Sequence, residues 1–175
     1  MTANESEFSA FVSARSSALY RTAYFLTGGD RHAAQDLVQD ALADAYARWG
    51  SIREPYAREA FVRRIMVRTA TRRWNRQQRS REVLEAQPPE RLQPGHEDPT
   101  AVSVDLAQAL GLLSARQRAV MVLRYYDDLS EAQIAEALGC STGAVKTHAT
   151  RAIKALSVTF GGTAYAPTPS AREDS

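Results

Sequence analysis

The side chains best placed to do chemistry in this sequence are arginines. Residues 53–82 carry ten Arg against three Glu, a local net charge of +7, whereas the whole chain of 175 residues carries only +2. A guanidinium presents a planar fork of donors that matches a phosphate and can stack on a base. Clustered in one segment, such groups make an electrostatic footprint for nucleic acid. A second constellation lies at the far end of the chain: Ser141, Thr142, Gly143, Ala144, Lys146, Thr147, His148, Thr150, Arg151 and Lys154, with no acidic residue between Ser141 and Lys154. Small residues at its start let a helix sit deep in the major groove, and threonine can bond base edges or touch a thymine methyl. Lys146 and Lys154 suit phosphate oxygens. A third set, Asp36, Gln39, Asp40 and Asp44, falls on one face of a helix at 100° per residue. That face serves either solvent or a basic partner.

This is recognition chemistry, not bond-making chemistry. No nucleophile lies beside a base, and no glycine-rich loop precedes a helix to cradle a phosphate. His32, His96 and His148 lie far apart and lack metal-ligand spacing. No catalytic residue, metal or cofactor is expected, and the chain does not read as an enzyme. Its one cysteine, Cys140, can form no internal disulfide and reads as a small packed residue.

The elements that must position these groups are helices. Apolar residues recur at 3.6-residue spacing, and no run alternates with period two. Phe8–Leu26 suggests one or two helices ended by Thr27-Gly28-Gly29. Asp30 then caps a helix over 31–49, with Val38, Ala41, Leu42, Ala45 and Trp49 inward. Pro55 disfavours helix at Glu54. A third helix spans 57–77, with Phe61, Val62, Ile65, Met66 and Thr69 inward and Arg63, Arg64, Arg68 and Thr71 outward. Beyond it Arg72, Arg73, Arg76 and Arg79 surround Trp74, which either stacks on a base or caps the core. Residues 78–100 hold Pro88, Pro89, Pro94, Pro99 and Gly95 and read as an irregular linker.

The C-terminal block carries the most specific spacing. Ser114 with Gln117, and Ser130 with Gln133, match a capping box. The first opens a helix with Ala119, Val122, Leu123 and Tyr126 on one side. The second opens a helix over 130–138, stopped at Gly139. Ser141 caps the last helix, 142–159, which buries Val145, Ala149, Ala152, Ile153 and Leu156. Helix, short glycine turn, helix is the helix-turn-helix arrangement. The expected architecture is all-α: a unit at 1–77, the linker 78–100, a unit at 101–160, and a disordered tail 161–175. No apolar run approaches the ~18 residues of a membrane span, and no N-terminal secretory signal is present. These features point to a cytoplasmic protein with no membrane insertion.

The order of these segments resembles the sigma-70 family of bacterial transcription initiation factors, and within it the small extracytoplasmic-function (ECF) group. "LTGGDRHAAQDLVQDALADAYARW" (Leu26–Trp49) is similar to region 2.1–2.2, "AFVRRIMVRTATRRWNR" (Ala60–Arg76) to region 2.4, and the stretch Leu113–Leu156 to region 4. The resemblance implies that Asp36, Gln39, Asp40 and Asp44 dock on the β′ clamp helices of core RNA polymerase, with the β flap as a further contact. It implies that the loop Gly50–Glu59 and the arginine helix (Arg53, Arg63, Arg64, Arg68, Arg72, Arg73, Trp74 and Arg76) read and melt the minus-10 element of promoter DNA. The 141–154 constellation would read the minus-35 element, the linker would thread toward the RNA exit path, and an anti-sigma factor is a further partner. Thr147 and His148 stand where the family often has Ser then Arg, and Ala144 replaces a common Thr, so a minus-35 preference does not transfer. The C-terminal block also resembles the LuxR-type helix-turn-helix. A stand-alone regulator that binds palindromes as a dimer is therefore the alternative function.

Overall fold

The computed structural model describes residues 2–81 and 101–160, apart from the side chains of 78, 81, 101 and 102. The expectations for 82–100 and for the tail 161–175 lie outside the described residues. Among the described residues seven α-helices run α1 Ala3–Leu26, α2 Arg31–Ala47, α3 Pro55–Arg81, α4 Ala101–Gly111, α5 Ala115–Met121, α6 Glu131–Leu138 and α7 Thr142–Thr159. No strand occurs among the described residues. The chain is all-α, as its periodicity requires.

Local chemistry sets the helix ends. α1 starts earlier than Phe8 because Thr2 and Glu5 form a full capping box. Asp30 caps α2, its Oδ1 accepting from the Ala33 amide at 2.9 Å. α2 stops at Ala47 rather than Trp49, because residues Trp49–Ser51 tighten into a 3₁₀ turn. α3 begins at Pro55, where the missing amide hydrogen costs nothing. It continues through Arg81, past the expected linker start at residue 78, because no proline or glycine interrupts residues 56–81. Ser114 and Ser130 both make the expected boxes with Gln117 and Gln133.

α5 departs from the expected single helix. A π-helical turn, Val122–Tyr126, follows it, and the Asp127 amide donates to the Val122 carbonyl at 3.0 Å. The wider turn rotates Tyr126 out of the Ala119–Leu123 stripe. Tyr126 is 42% exposed and lies against Phe25 of α1, centroids 4.8 Å apart.

Gly139 adopts the left-handed conformation with φ +65°. A side chain there would meet no backbone, only the Arg68 Nη2 tip at 3.6 Å. The position is conformational rather than steric. Gly139→Val should therefore cost about 1–2 kcal/mol, and Gly139→Asn less, as read from urea denaturation midpoints.

α1, α2 and α3 pack around Leu19, Ala23, Leu37, Ala41, Val62 and Met66. Trp49 closes one end of this core, 1% exposed and flanked by Phe8 and Phe11. α4–α7 enclose Leu110, Val120, Leu123, Ile134, Val145 and Ala149. The two units share one continuous hydrophobic cluster.

Candidate nucleic-acid interface

Three surfaces carry the candidate residues. On α7, Val145, Ala149 and Ala152 are buried, which turns the opposite face outward. Ser141, Thr142, Gly143, Lys146, Thr147, Thr150, Arg151 and Lys154 are exposed there, and Ala144 and His148 are half-buried. The Ser141 hydroxyl accepts from the Ala144 amide at 3.1 Å, so its role is the cap. Thr147 and Thr150 donate their hydroxyl protons to the Gly143 and Lys146 carbonyls, both at 3.0 Å. Their oxygens stay open as acceptors, which suits the amino edges of adenine and cytosine rather than a phosphate. Lys146 lies 3.6 Å from Glu131, a carboxylate it shares with Arg124. Arg151 and Lys154 have no ion pair among the described residues and are the free cations of this face. Burial lowers the His148 pKa, with Arg116 and Arg151 adding to the effect, so the ring is neutral at physiological pH and offers hydrogen bonds instead of charge.

The arginine helix is divided. Arg72 and Arg76 on it, and Arg53 in the loop before it, are exposed and have no ion pair among the described residues. Arg63, expected outward, is instead largely covered. Its Nε donates to Asp127 at 3.2 Å and its Nη2 to Glu59 at 3.1 Å. Arg64 pairs with Glu136, and the Arg68 Nε donates to the Ala137 carbonyl at 3.3 Å. Arg73 pairs with Asp40 across the α2–α3 contact. Trp74 lies under the Arg118 guanidinium, 3.6 Å from ring centroid to Cζ. Trp74 is half-buried beneath that guanidinium.

The acidic face of α2 is open. Asp36, Gln39, Asp40 and Asp44 are all exposed, opposite the buried Leu37, Val38, Ala41 and Ala45. Asp44 also lines a groove of about 620 Å³ between the two units, together with Arg48, Arg68, Arg72, Arg116, Leu138 and Gly139. One carboxylate among four guanidiniums makes the groove strongly positive.

Sequence reasoning missed Arg48 and Arg116 on the groove wall, and it missed Arg118. Arg118 is 1% exposed. It donates to the carbonyls of Leu110 (2.8 Å), Leu26 (3.1 Å), Leu113 (3.1 Å) and Gly111 (3.4 Å). Burial lowers its pKa to about 10, so it remains charged at neutral pH. A signal existed: Arg118 sits on the apolar stripe with Ala115, Ala119 and Val122, where a charge needs buried partners. The pairing of Arg48 with Arg116 had no such signal, because it depends on how the two units meet.

An all-helical chain with a capped helix-turn-helix, an acid-free exposed reading helix and a separate arginine helix defines a DNA-binding transcription factor. The family model described as "Sigma-70 region 2" matches residues 11–80, and that described as "Sigma-70, region 4" matches residues 103–156. The chain is 38% identical to the RNA polymerase sigma-E factor of Streptomyces coelicolor, covering 86% of this chain and 84% of that protein. It is 33% identical to the RNA polymerase sigma factor SigV of Bacillus subtilis over 71% of this chain and 74% of that protein. The protein belongs to the sigma-70 family, in its ECF group, and its function is promoter-directed transcription initiation. Region 2 occupies the residues where a stand-alone regulator would carry a sensing domain, so the LuxR-type alternative is not favoured.

Among solved structures, the chain resembles the sigma factor RpoE in complex with the anti-sigma factor NepR from Bartonella quintana. The TM-score is 0.68 at 24% identity, covering 87% of this chain and 96% of that one. It also resembles CnrH in complex with the cytosolic domain of CnrY, with a TM-score of 0.62 at 23% identity, covering 90% of this chain and 89% of that one. At these identities the likeness speaks for the fold.

Proposed function

We propose that residues 1–77 dock on core RNA polymerase and hold the minus-10 element, while α7 reads the minus-35 element. The observation that carries this division is the exposure of two faces of opposite character. The acidic face of α2 stays open above its buried apolar face, and the acid-free face of α7 stays open above Val145 and Ala149. Acidic groups repel DNA and suit a basic protein partner; the α7 face suits DNA. The β′ clamp helices are the partner assigned to Asp36, Gln39, Asp40 and Asp44. The β flap is a second polymerase contact, and an anti-sigma factor would compete for these surfaces.

The mechanism is binding and strand separation. Polymerase presents both units to one promoter at a fixed separation, which makes the second contact effectively intramolecular. Unstacking a base costs a few kcal/mol, and contacts from the loop 50–59 and the free cations Arg53, Arg72 and Arg76 offset it. Run-off transcription with core polymerase on genomic promoter fragments tests the whole reading: discrete start sites support it, and none would refute it. Arg72→Ala with Arg73→Ala should leave polymerase binding intact and lower open-complex formation about tenfold, through lost phosphate contacts. Permanganate footprinting measures this, and wild-type thymine reactivity would remove these arginines from the melting role.

A further inference from the structure

The groove between the two units gathers cations that its own carboxylate does not neutralise. Arg48 stands at the end of α2, Arg68 and Arg72 on α3, and Arg116 on α5. The guanidiniums of Arg48, Arg72 and Arg116 make no ion pair or hydrogen bond among the described residues, and all three side chains are exposed. Arg68 is held at Nε, which donates to the Ala137 carbonyl at 3.3 Å. Against these four stands Asp44, itself without an ion pair among the described residues. Between the charges lie the half-buried Ile65 and the buried Leu138. The walls are set by other contacts. A Cβ on Gly28 would lie 3.1 Å from the Gly111 Cα, so no side chain separates those two backbones, and Arg118 reaches the Leu26 carbonyl at 3.1 Å. Backbone contact and a buried bond thus fix how near the guanidiniums come. Like charges held together raise the energy of the site until an anion enters.

We propose that this groove is a binding site for a small oligophosphate, and that a nucleoside triphosphate is the form that fits it best. Charge sets the phosphate count. Four guanidiniums and one carboxylate leave the lining at +3. A single phosphate brings about −1.5 to −2, which leaves roughly one positive charge uncovered; a chain of phosphates covers it. The cations approach from three helices instead of one plane, which suits a chain, and each fork can take phosphate oxygens in pairs.

The rest of the lining points to the nucleoside. The volume of about 620 Å³ lies within the roughly 300–1,000 Å³ of small-molecule sites. A bare phosphate chain has no use for an apolar surface or a carboxylate. Ile65 and Leu138 give a flat base something to lie on. A carboxylate repels phosphate but accepts hydrogen bonds from sugar hydroxyls, which gives Asp44 a role. The site does not depend on the promoter reading. One consequence does: Arg72 is also assigned to the melted strand, so a filled groove withholds it from DNA.

The test is calorimetric titration of the full chain, without polymerase or DNA, in magnesium-free buffer at about 0.15 M salt. The probes are ATP, GTP and inorganic tripolyphosphate. Each should bind at one site per chain, the nucleotides about tenfold tighter than tripolyphosphate. Arg48→Gln and Arg116→Gln should each weaken every probe about tenfold. Far-UV helicity should not change, since both side chains are exposed. Arg15→Gln removes the same charge from α1, away from the groove lining, and should leave binding unaltered. Asp44→Ala should act in two directions: it lifts a repulsion and tightens tripolyphosphate, and it removes a sugar contact and weakens the nucleotides. If Asp44→Ala tightens all three and their affinities are equal, the nucleoside form is overturned and the site is upheld for the phosphate chain. Absence of binding at about 1 mM, or an equal loss with Arg15→Gln, would overturn the site. A mixed-sequence single strand of about 20 nucleotides that needs Arg48 and Arg116 while the small probes fail to bind would also overturn it, and would give the groove to nucleic acid.

Discussion

Arg118→Ala is expected to cost about 3–5 kcal/mol of stability, the largest effect of any single substitution outside the apolar core. The reason is the number of groups that depend on one side chain. Four carbonyls, those of Leu26, Leu110, Gly111 and Leu113, accept from the guanidinium, and three of these bonds are fully buried. Alanine leaves those acceptors without a donor in a site water cannot easily reach, and it strips the Trp74 ring of its cationic cover. Arg118→Lys keeps the charge but not the fork, so it should recover only part of the loss. Urea denaturation followed by circular dichroism measures both. A loss below about 1 kcal/mol for alanine would show that the carbonyls find other partners.

The second large effect concerns the α2 face. Reversing Asp36 and Asp40 to arginine should abolish capture of core polymerase, because placing like charges across a docking surface costs several kcal/mol. Helicity should be unchanged, since both residues are exposed and the packing face of α2 is untouched. Asp40 also pairs with Arg73, so its reversal alone disturbs α3 as well. Asp36→Arg has no ion pair to break and isolates docking from that side effect. A pull-down with wild-type recovery for the double variant would remove the polymerase contact from this face.

Most of the architecture was legible because it rests on local chemistry. Asp30, Ser114, Ser130, Ser141 and Gly139 end or begin helices through bonds to residues three or four positions away, so their effect can be read in order along the chain. Burial of Val145, Ala149 and Ala152 likewise followed from spacing alone, and with it the outward aim of the α7 face. The π-turn was not legible. It repeats the apolar spacing of an α-helix up to Leu123 and differs only in which carbonyl the Asp127 amide finds.

The arginine helix shows where order along the chain stops being enough. Its charge was set by the residues of 53–82, but the helix runs over Pro55–Arg81 rather than 57–77, and its buried stripe is Val62, Met66, Val67 and Ala70, with Phe61, Ile65 and Thr69 only half-buried. From 53–82 alone, Arg63, Arg64 and Arg68 are equivalent to Arg72: outward cations waiting for phosphate. The tertiary structure separates them, since Asp127, Glu136 and the Ala137 carbonyl lie 64, 72 and 69 positions further on. Bonds at such separations depend on how two helical units meet, and that depends on shape: two glycine backbones in contact and one buried guanidinium. The chain's order therefore determined what each surface can bind. Only the packing of the two units decided which of those surfaces stands open.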